Sequence, residues 1–383
     1  MNRPRTIVDI SILQTVPPSN LNRDDSGSPK TAIYGGTERA RVSSQAWKRQ
    51  TRLAFNRALD PSSVGFRTKQ VVVTLATRIR EKSDAIDEAG SLDLAKRVLE
   101  KAGVKLTTPR TKKGEEPRPD ESEFLFFISS LQLDQLADIA VAAHTSDDVD
   151  TVIKEHDPKK KLDTKHSVDI ALFGRMVANA TDLNVDAAAQ VAHAISVHGI
   201  RREFDYFTAV DDIKNLDEGQ DAGAAMIGTV EFNSATLYRY ATVDVDRLRE
   251  NLGDDNATTE AITAFVDAFA TSIPSGKQNS FGHRTVPDAI VVSVRDSQPV
   301  NLVGAFESAI QSDYVGEASR RLALRAREVD EKFGTTPVES WVVRIGDATA
   351  PLAELGQDVA LDALLSGLAG TVRDRLATAA TSR

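Results

Sequence analysis

The amino-terminal part of the chain predicts a strand, a glycine-bearing loop and a helix, in that order. Ile7 to Leu13 is rich in β-branched residues, and its apolar side chains alternate with Asp9 and Ser11, which indicates a strand. A polar loop follows, from Pro17 to Gly36. The residues from Gln45 to Leu59 contain no Gly or Pro and can follow a serine N-cap, so they predict a helix. This succession opens an α/β or α+β domain.

The predicted helix is basic in an acidic protein. No acidic residue occurs from Arg39 to Leu59, whereas the chain of 383 residues has a formal net charge of -9. Successive residues of a helix are about 100° apart, so one side of this helix carries Gln45, Lys48, Arg49 and Arg52. The opposite side carries Trp47, Ala54 and Ala58. Such a concentrated cationic surface favours a polyanion, and the helix N-terminus favours a phosphate near Ser43 and Ser44. A solvated basic face on an ordinary amphipathic helix explains the spacing equally well.

The composition is that of a globular protein, with 41% hydrophobic and 27% charged residues. No window approaches the ~20 apolar residues that cross a bilayer, and the N-terminus lacks a signal-peptide pattern, so we expect a cytoplasmic protein that does not bind membranes. The absence of cysteine excludes disulfides, thiolate nucleophiles and Cys-based metal sites, and it fits a reducing compartment.

The middle of the chain predicts a helical insertion followed by a hairpin. Helical patterns occupy Val71 to Ala85, Leu92 to Ala102 and Leu131 to Ala143. A loop rich in proline and charged residues lies between them, from Thr107 to Asp120. A helix is predicted from Asp186 to Ser196. Ile200 to Val210 and Thr229 to Val243 are extended segments around a polar, glycine-containing stretch, which predicts a long hairpin.

The carboxyl-terminal part alternates helices and strands. We predict a helix from Thr258 to Ser272, a strand from Ala289 to Val294, a helix from Asn301, a strand from Ser340 to Arg344 and a final helix near Leu355 to Leu376.

Signals of a metal site or of common catalytic machinery are weak. His193 and His198 are five residues apart and do not share a helix face, and the chain has neither a Gly-x-Ser-x-Gly elbow nor a phosphate-binding P-loop. We therefore predict no metal, no cofactor and no catalytic residue. The acidic pair Asp24-Asp25 could bind Mg²⁺ or transfer protons, although an Asx turn or an ion pair with Arg23 is the more common role.

Two other segments place cations beside apolar side chains. Arg175 precedes Met176 after a glycine, and Phe204, Tyr206 and Phe207 follow Arg201 and Arg202. Apolar side chains can stack on bases or separate them while cations hold the backbone. Each segment alone is more often part of a core, but together with the basic helix they favour nucleic-acid binding.

Motifs in a fixed order make the chain resemble a known family. They are Leu21-Asn-Arg-Asp-Asp25, Ala32-Ile-Tyr-Gly-Gly36, Arg41-Val-Ser-Ser-Gln45 with Lys48-Arg49, Val168-Asp-Ile-Ala-Leu-Phe-Gly-Arg-Met176, Phe207-Thr-Ala-Val-Asp-Asp212, Gly228-Thr-Val-Glu-Phe232, Tyr238-Arg-Tyr240, Glu250-Asn-Leu-Gly253 and Gly276-Lys-Gln278. These motifs, over roughly residues 5 to 310, resemble the CasC family. Its members are the CRISPR RNA-binding backbone subunits of the type I-E Cascade surveillance complex, within the RAMP superfamily.

The resemblance implies an α+β fold with a ferredoxin-like (RRM-type) palm, an inserted helical fingers region and a β-hairpin thumb. The implied boundaries are 1–60 for the first part of the palm, 61–175 for the fingers, 176–195 for more of the palm, 196–230 for the thumb, and 231–383 for the rest of the palm and the C-terminal helix.

The resemblance also implies a function. Several copies would line up along one CRISPR RNA as a helical filament, contact the other Cascade subunits and leave the guide bases free to pair with target DNA in antiviral defence. The chain would be a scaffold and not an enzyme. The implied RNA contacts are Arg23, Lys30, Arg41, Ser43, Gln45, Lys48, Arg49, Arg52, Arg175, Met176, Phe207, Thr208 and Lys277. Met176 would wedge against a base, and Phe207 with Thr208 would lie where the thumb kinks the RNA.

Two other functions stay open from the sequence. Backbone subunits of related type III complexes use a loop Asp to cut target RNA, so Asp24 or Asp25 could make this chain a metal-dependent RNA nuclease. An α+β interaction protein that binds no nucleic acid is the third possibility. The basic segment from Lys154 to Lys165, which contains Lys159-Lys160-Lys161, could touch target DNA, but no motif aligns it.

Overall fold

The computed structural model describes residues 5–111, 114, 118–164, 166–177, 180–209 and 226–381. The chain divides into two units. Unit 1 consists of Met1–Ala54, Val191–Thr242 and Phe265–Arg375, and unit 2 consists of Phe55–Gln190, Val243–Ala264 and Leu376–Arg383.

Strands and helices occur throughout, so the α+β class is confirmed. The strands are β1 (Ile7–Ser19), β2 (Thr31–Tyr34), β3 (Thr37–Val42), β4 (Gly65–Thr68), β5 (Leu106–Thr107), β6 (Glu121–Ser122), β7 (Phe126–Ser129), β8 (Ala189–Val191), β9 (Ala194–Ser196), β10 (Glu203–Ala209), β11 (Met226–Asp244), β12 (Ala289–Arg295), β13 (Glu339–Arg344) and β14 (Gln357–Asp358). The α-helices are α1 (Ser44–Ala58), α2 (Val71–Lys82), α3 (Glu88–Lys101), α4 (Ser130–His144), α5 (Val149–Glu155), α6 (Pro158–Leu162), α7 (Val168–Phe173), α8 (Val245–Leu252), α9 (Asp255–Thr271), α10 (Gln278–Phe281), α11 (Tyr314–Phe333) and α12 (Leu361–Thr381).

Unit 1 is built on a mixed sheet with the strand order β14-β13-β12-β1-β11-β9-β3-β2, and β10 also pairs with β11. Strand β1 is antiparallel to β12, with Ile7 opposite Arg295 and Leu13 opposite Ala289. Strands β13 and β14 are parallel. The sheet places the loop after β1, the end of β3 and the β10–β11 pair in one unit.

Both faces of β1 are buried, although Asp9 and Ser11 alternate with its apolar residues. On one face, Leu13 packs in a cluster with Val342 of β13 and Leu322 of α11. On the other face, Gly367 of α12 lies so close to Trp341 that an added Cβ would be 2.6 Å from the indole nitrogen. Because helices cover both faces, Asp9 is buried with the apolar residues.

The buried Asp9 carboxylate is held by several donors. Its Oδ2 accepts hydrogen bonds from Arg295 Nε at 3.0 Å and from the Val300 backbone N–H at 2.9 Å, and its Oδ1 accepts one from the Tyr240 hydroxyl at 2.8 Å. Burial nevertheless raises the pKa of Asp9. This network explains how a strand with a carboxylate can lie at the centre of the sheet.

Unit 2 has a helical core, as the insertion predicts. Leu75 of α2, Val98 of α3 and Leu136 of α4 belong to one buried cluster. Helix α4 begins with a capping box, in which Gln132 N donates to Ser129 Oγ and Ser129 N donates to Gln132 Oε1. The predicted helices at α2, α3 and α4 are confirmed to within a few residues. No helix in the described part of the chain combines the length and apolar character needed to cross a membrane.

Two helix predictions are wrong. The segment from Asp186 to Ser196 contains the strands β8 and β9, because its apolar residues join a sheet: Ile195 pairs with Arg41 and Ala194 with Val42. The helix predicted from Asn301 is only a short 3-10 turn, Leu302–Phe306, and the long helix α11 begins at Tyr314. Tertiary pairing and local capping override the apolar periodicity here.

Candidate nucleic-acid interface

Helix α1 starts at the end of β3 and is capped by Ser43, because Ala46 N donates to Ser43 Oγ at 3.3 Å. Its buried residues are Trp47, Thr51 and Phe55, whereas Arg49 is exposed. The helix thus buries one face and presents a cationic face, as predicted. Ala58, predicted on the buried side, is exposed instead, and Phe55 is the buried residue of this turn.

The first backbone N–H groups at this helix end already have partners within unit 1. Ser43 N donates to Asn22 Oδ1 at 2.9 Å, and Ser44 N donates to His193 Nδ1 at 3.1 Å. Burial, together with the nearby Arg41 and Lys30 charges, lowers the pKa of His193, so its Nδ1 acts as an acceptor. A phosphate here would meet side chains and not the N–H groups of Ser43 and Ser44.

The loop after β1 places Lys30 beside Arg41. Lys30 N donates to Asn22 O at 2.9 Å, and Arg41 N donates to Lys30 O at 2.9 Å. Arg41 Nε donates to Thr31 O at 3.1 Å, which fixes the direction of the guanidinium. Two cations thus lie at adjoining positions on the loop and β3.

Asp24 stabilises the turn of the same loop. Its Oδ1 accepts hydrogen bonds from Ser26 N at 2.9 Å, from Ser28 N at 3.0 Å and from Ser26 Oγ at 2.7 Å. The hydrogen bond from the Ser26 hydroxyl is the main cause that lowers the pKa of Asp24. The Asx-turn interpretation of this residue is confirmed. No cluster of three or more His, Asp or Glu side chains suited to a metal ion occurs among the described residues.

Lys277 joins this region through a close backbone contact. A Cβ at Gly276 would lie 2.3 Å from Leu21 O, so only glycine fits against the loop. Lys277 itself has a positive φ of 52°. Gln50 Nε2 of α1 donates to Ser275 Oγ at 3.2 Å, which ties the segment to the basic helix.

The structure therefore brings nine of the predicted contacts together in unit 1, and we call this set the basic surface. Arg23, Gln45 and Arg49 are exposed, and Ser43 is buried as the helix cap. The remaining members are half-buried. In full, the basic surface is Arg23, Lys30, Arg41, Ser43, Gln45, Lys48, Arg49, Arg52 and Lys277.

The predicted hairpin is confirmed for its described residues. Strands β10 and β11 are antiparallel, with Phe207 opposite Gly228 and Thr208 opposite Ile227. The Phe207 ring covers Gly228 so closely that an added Cβ would lie 2.4 Å from Phe207 Cζ. Phe207 is still 39% exposed, and Tyr206 is 62% exposed. The predicted tip, residues 211–223, lies outside the described residues.

Arg175 and Met176 belong to unit 2 and have opposite environments. Arg175 is 4% exposed, and it donates to Leu183 O from Nε and to Leu162 O from Nη2, each at 2.8 Å. Burial lowers its pKa to about 10. The guanidinium thus holds the fold, and its burial argues against the RNA contact that the resemblance implies. Met176, by contrast, is 84% exposed.

Residues 8–367 of the sequence match the CT1975-like protein family. The chain belongs to this family. A search of curated proteins gave no match.

Two solved structures are similar to this CT1975-like protein over nearly its whole length. One, described as a pre-nicking CRISPR RNA-guided surveillance complex, contains a chain with 35% sequence identity and a TM-score of 0.81, and the match covers 96% of this chain and 100% of that one. Another CRISPR RNA-guided surveillance complex contains a chain with 30% identity and a TM-score of 0.71, with 95% and 99% covered.

Sequence reasoning missed two polar residues that organise the basic surface of this family member. Asn22 and His193 hold the backbone of Ser43 and Ser44, as described above. His193 lies in a segment predicted to be a helix, and only the strand pairing of β9 with β3 brings it to the start of α1. Asn22 lies in the Leu21-Asn-Arg-Asp-Asp25 motif, but nothing in the sequence marks it or His193 as a partner of the α1 N-terminus.

Proposed function

We propose that this chain is an RNA-binding backbone subunit of a Cascade-type CRISPR surveillance complex, of type I-E as its motifs suggest. The observation that carries the proposal is the basic surface, a set of cations assembled from the loop after β1, β3, α1 and the Lys277 turn in a protein of net charge -9. Such a surface favours a polyanion. The similarity of this chain to chains of CRISPR RNA-guided surveillance complexes supports CRISPR RNA as that polyanion.

Cations that grip the phosphate backbone provide affinity without sequence preference. The bases are then left for pairing with target DNA, so the RNA and not the protein would read sequence. In this proposal, Met176 wedges against a base, and Phe207 with Thr208 kinks the RNA beside the hairpin. Their exposure supports these roles.

The same proposal assigns the parts of the fold. Residues 1–60, 176–195 and 231–383 would form the ferredoxin-like palm and residues 196–230 the thumb. Residues 61–175, with helices α2 to α7, would form the helical fingers. Several copies would bind one CRISPR RNA in a cytoplasmic helical filament and contact the other subunits of the complex. The chain would be non-catalytic. Supporting this, Asp24, the first carboxylate of the nuclease alternative, stabilises its own loop.

The test compares two double variants in the assembled complex. Lys48→Ala with Arg49→Ala removes two charges from the basic surface. Lys332→Ala with Arg373→Ala removes two exposed charges of α11 and α12 and is the matched control. We expect only the first to weaken RNA binding and to reduce the slope of log affinity against log salt by about 1.4, because each lost phosphate contact changes it by about 0.7. An unchanged slope would contradict the proposal.

A further inference from the structure

A small cleft of about 20 Å³ opens in unit 1 between the loop after β1 and the strands β3 and β11. Its polar lining includes Asn22, Lys30, Arg41 and Asn233, and the described residues that line it include no carboxylate. Ser19 of β1, Leu21 and Pro29 of the loop and apolar residues of β1, β3 and β11 form the rest of the wall. Two cationic residues and two amide residues therefore border the cleft.

Asn233 has an unused donor at this cleft. The residue is 8% exposed, and its Nδ2 is buried without a hydrogen-bond partner among the described residues. A buried amide without a partner costs folding free energy, and native proteins rarely retain one. The cleft volume is enough for one water-sized group and too small for a whole anion. The missing partner is thus a single acceptor atom.

The chemistry of the lining selects that acceptor. Lys30 and Arg41 favour negative charge, and the Asn233 amide and the Asn22 amide fit an oxygen. A non-bridging phosphate oxygen has this charge and size, with the phosphorus and its other oxygens left at the mouth.

We propose that Asn233 is a phosphate-binding residue of the RNA groove, and that its Nδ2 donates to one phosphate oxygen that enters the cleft between Lys30 and Arg41. This inference rests on the proposed RNA-binding function. It adds to the basic surface a residue that the sequence motifs did not assign to RNA, and it gives one phosphate a fixed position. An ordered water bound to Asn233 is the alternative occupant.

The decisive variant is Asn233→Leu, which removes the donor, keeps the side-chain size and adds no charge. Ser234→Ala is the matched control, because Ser234 is the exposed next residue of the same strand. We expect Asn233→Leu to bind a single-stranded RNA oligonucleotide about tenfold more weakly than the control, since a hydrogen bond to a charged group is lost. Its melting temperature should be unchanged or higher than that of the wild type, because an unsatisfied buried amide has been removed.

Two variants that each introduce a carboxylate give a second readout. Asn233→Asp puts a carboxylate beside the two cations and should weaken RNA binding on the order of 100-fold, while Ser234→Asp should have little effect. Equal RNA affinity for Asn233→Leu and Ser234→Ala would overturn the inference, even if Asn233→Asp binds weakly. A lower melting temperature of Asn233→Leu with unchanged RNA affinity would indicate the bound water.

The failure of this inference can be separated from the failure of the proposed function. If the Lys48 and Arg49 double variant loses RNA affinity while Asn233→Leu does not, only the role of Asn233 is wrong. If the wild-type protein binds no RNA at all, both are wrong.

Discussion

The guanidinium carbon of Arg239 lies 3.8 Å from the centroid of the Trp47 ring, so a buried cation–π contact joins strand β11 to the basic helix. Trp47 is fully buried and also makes an edge contact with Phe269, at 6.3 Å between ring centroids. Arg239 Nη1 donates to Gln14 Oε1 at 2.6 Å. The orientation of the cationic face of α1 thus depends on an aromatic anchor on its buried face.

Trp47→Ala should lower the free energy of unfolding by about 3–5 kcal/mol, because it leaves a large cavity and removes the partner of a buried charge. Chemical denaturation of the free protein measures this loss. Leu53→Ala, at a position of α1 that is 40% exposed, is the control and should change stability by about 0.5 kcal/mol or less. Similar losses in the two variants would show that the anchor has little energetic weight.

Arg175→Met and Met176→Ala should have opposite consequences. The first leaves the carbonyls of Leu162 and Leu183 without donors and should destabilise the protein by about 2–4 kcal/mol, with little direct effect on RNA affinity. The second should leave stability almost unchanged and weaken RNA binding, because an exposed wedge is removed. Thermal unfolding and RNA titration of both variants measure the contrast. Reduced RNA affinity with unchanged stability in Arg175→Met would contradict our interpretation.

His166 should make unit 2 sensitive to acid. Burial, with a contribution from the Arg175 charge, lowers its pKa to about 4, against an ordinary value of 6.5. The unfolded chain therefore takes up a proton before the folded one does, so this stability is present above pH 6.5 and is lost as the pH falls toward 4. At about pH 5, about 2 kcal/mol of this stability has been lost.

His166→Asn tests this dependence, because asparagine cannot take up the proton and its Oδ1 can replace Nδ1 as the partner of Gln132 Nε2, now 3.2 Å away. Between about pH 7 and about pH 5, the unfolding free energy of the variant should fall less than that of the wild type. Equal decreases in both proteins would mean that His166 is not the titrating group.

Gly228→Ala should disturb the hairpin at one point. The new Cβ would overlap the Phe207 ring, which has to move away from the strand. We expect altered spacing or loss of protected RNA fragments in the assembled complex while the core of unit 1 stays folded. Phe207→Ala alone is the comparison, because it removes the ring without any clash, and it should change the same RNA fragments. If Gly228→Ala assembles with an unchanged protection pattern, the position of this ring has no role in RNA packing.

Local patterns predict the long helices and central strands because their signals lie within a few residues. Helices α2 to α4 follow apolar periodicity, and β12 and β13 follow β-branched runs. The wrong predictions depend on distant partners. The segment from Asp186 to Ser196 reads as a helix but becomes the strands β8 and β9, with β9 paired to β3, and Asp9 is buried because α11 and α12 cover both sheet faces.

The candidate site, like the fold, was predictable where its residues lie close together in the sequence. Lys48, Arg49 and the Ser43 cap are local features of one helix, and the sequence is sufficient to find them. Arg175 is also a cation and is followed by the apolar Met176, but its buried guanidinium donates to carbonyl groups eight and thirteen residues away. Asn22 and His193 are recognisable only once the strands are paired, because each accepts a hydrogen bond from a residue far along the chain.

Ultraviolet cross-linking of the RNA in the purified complex, followed by mapping of the cross-linked peptides, tests the central claim most directly. We predict cross-links in the segment from Arg41 to Arg52 and in the β10 strand around Phe207, with fewer in the Lys48→Ala and Arg49→Ala double variant. Purified protein without nucleic-acid absorbance, or cross-links that avoid the basic surface, would contradict the claim that this chain holds CRISPR RNA there.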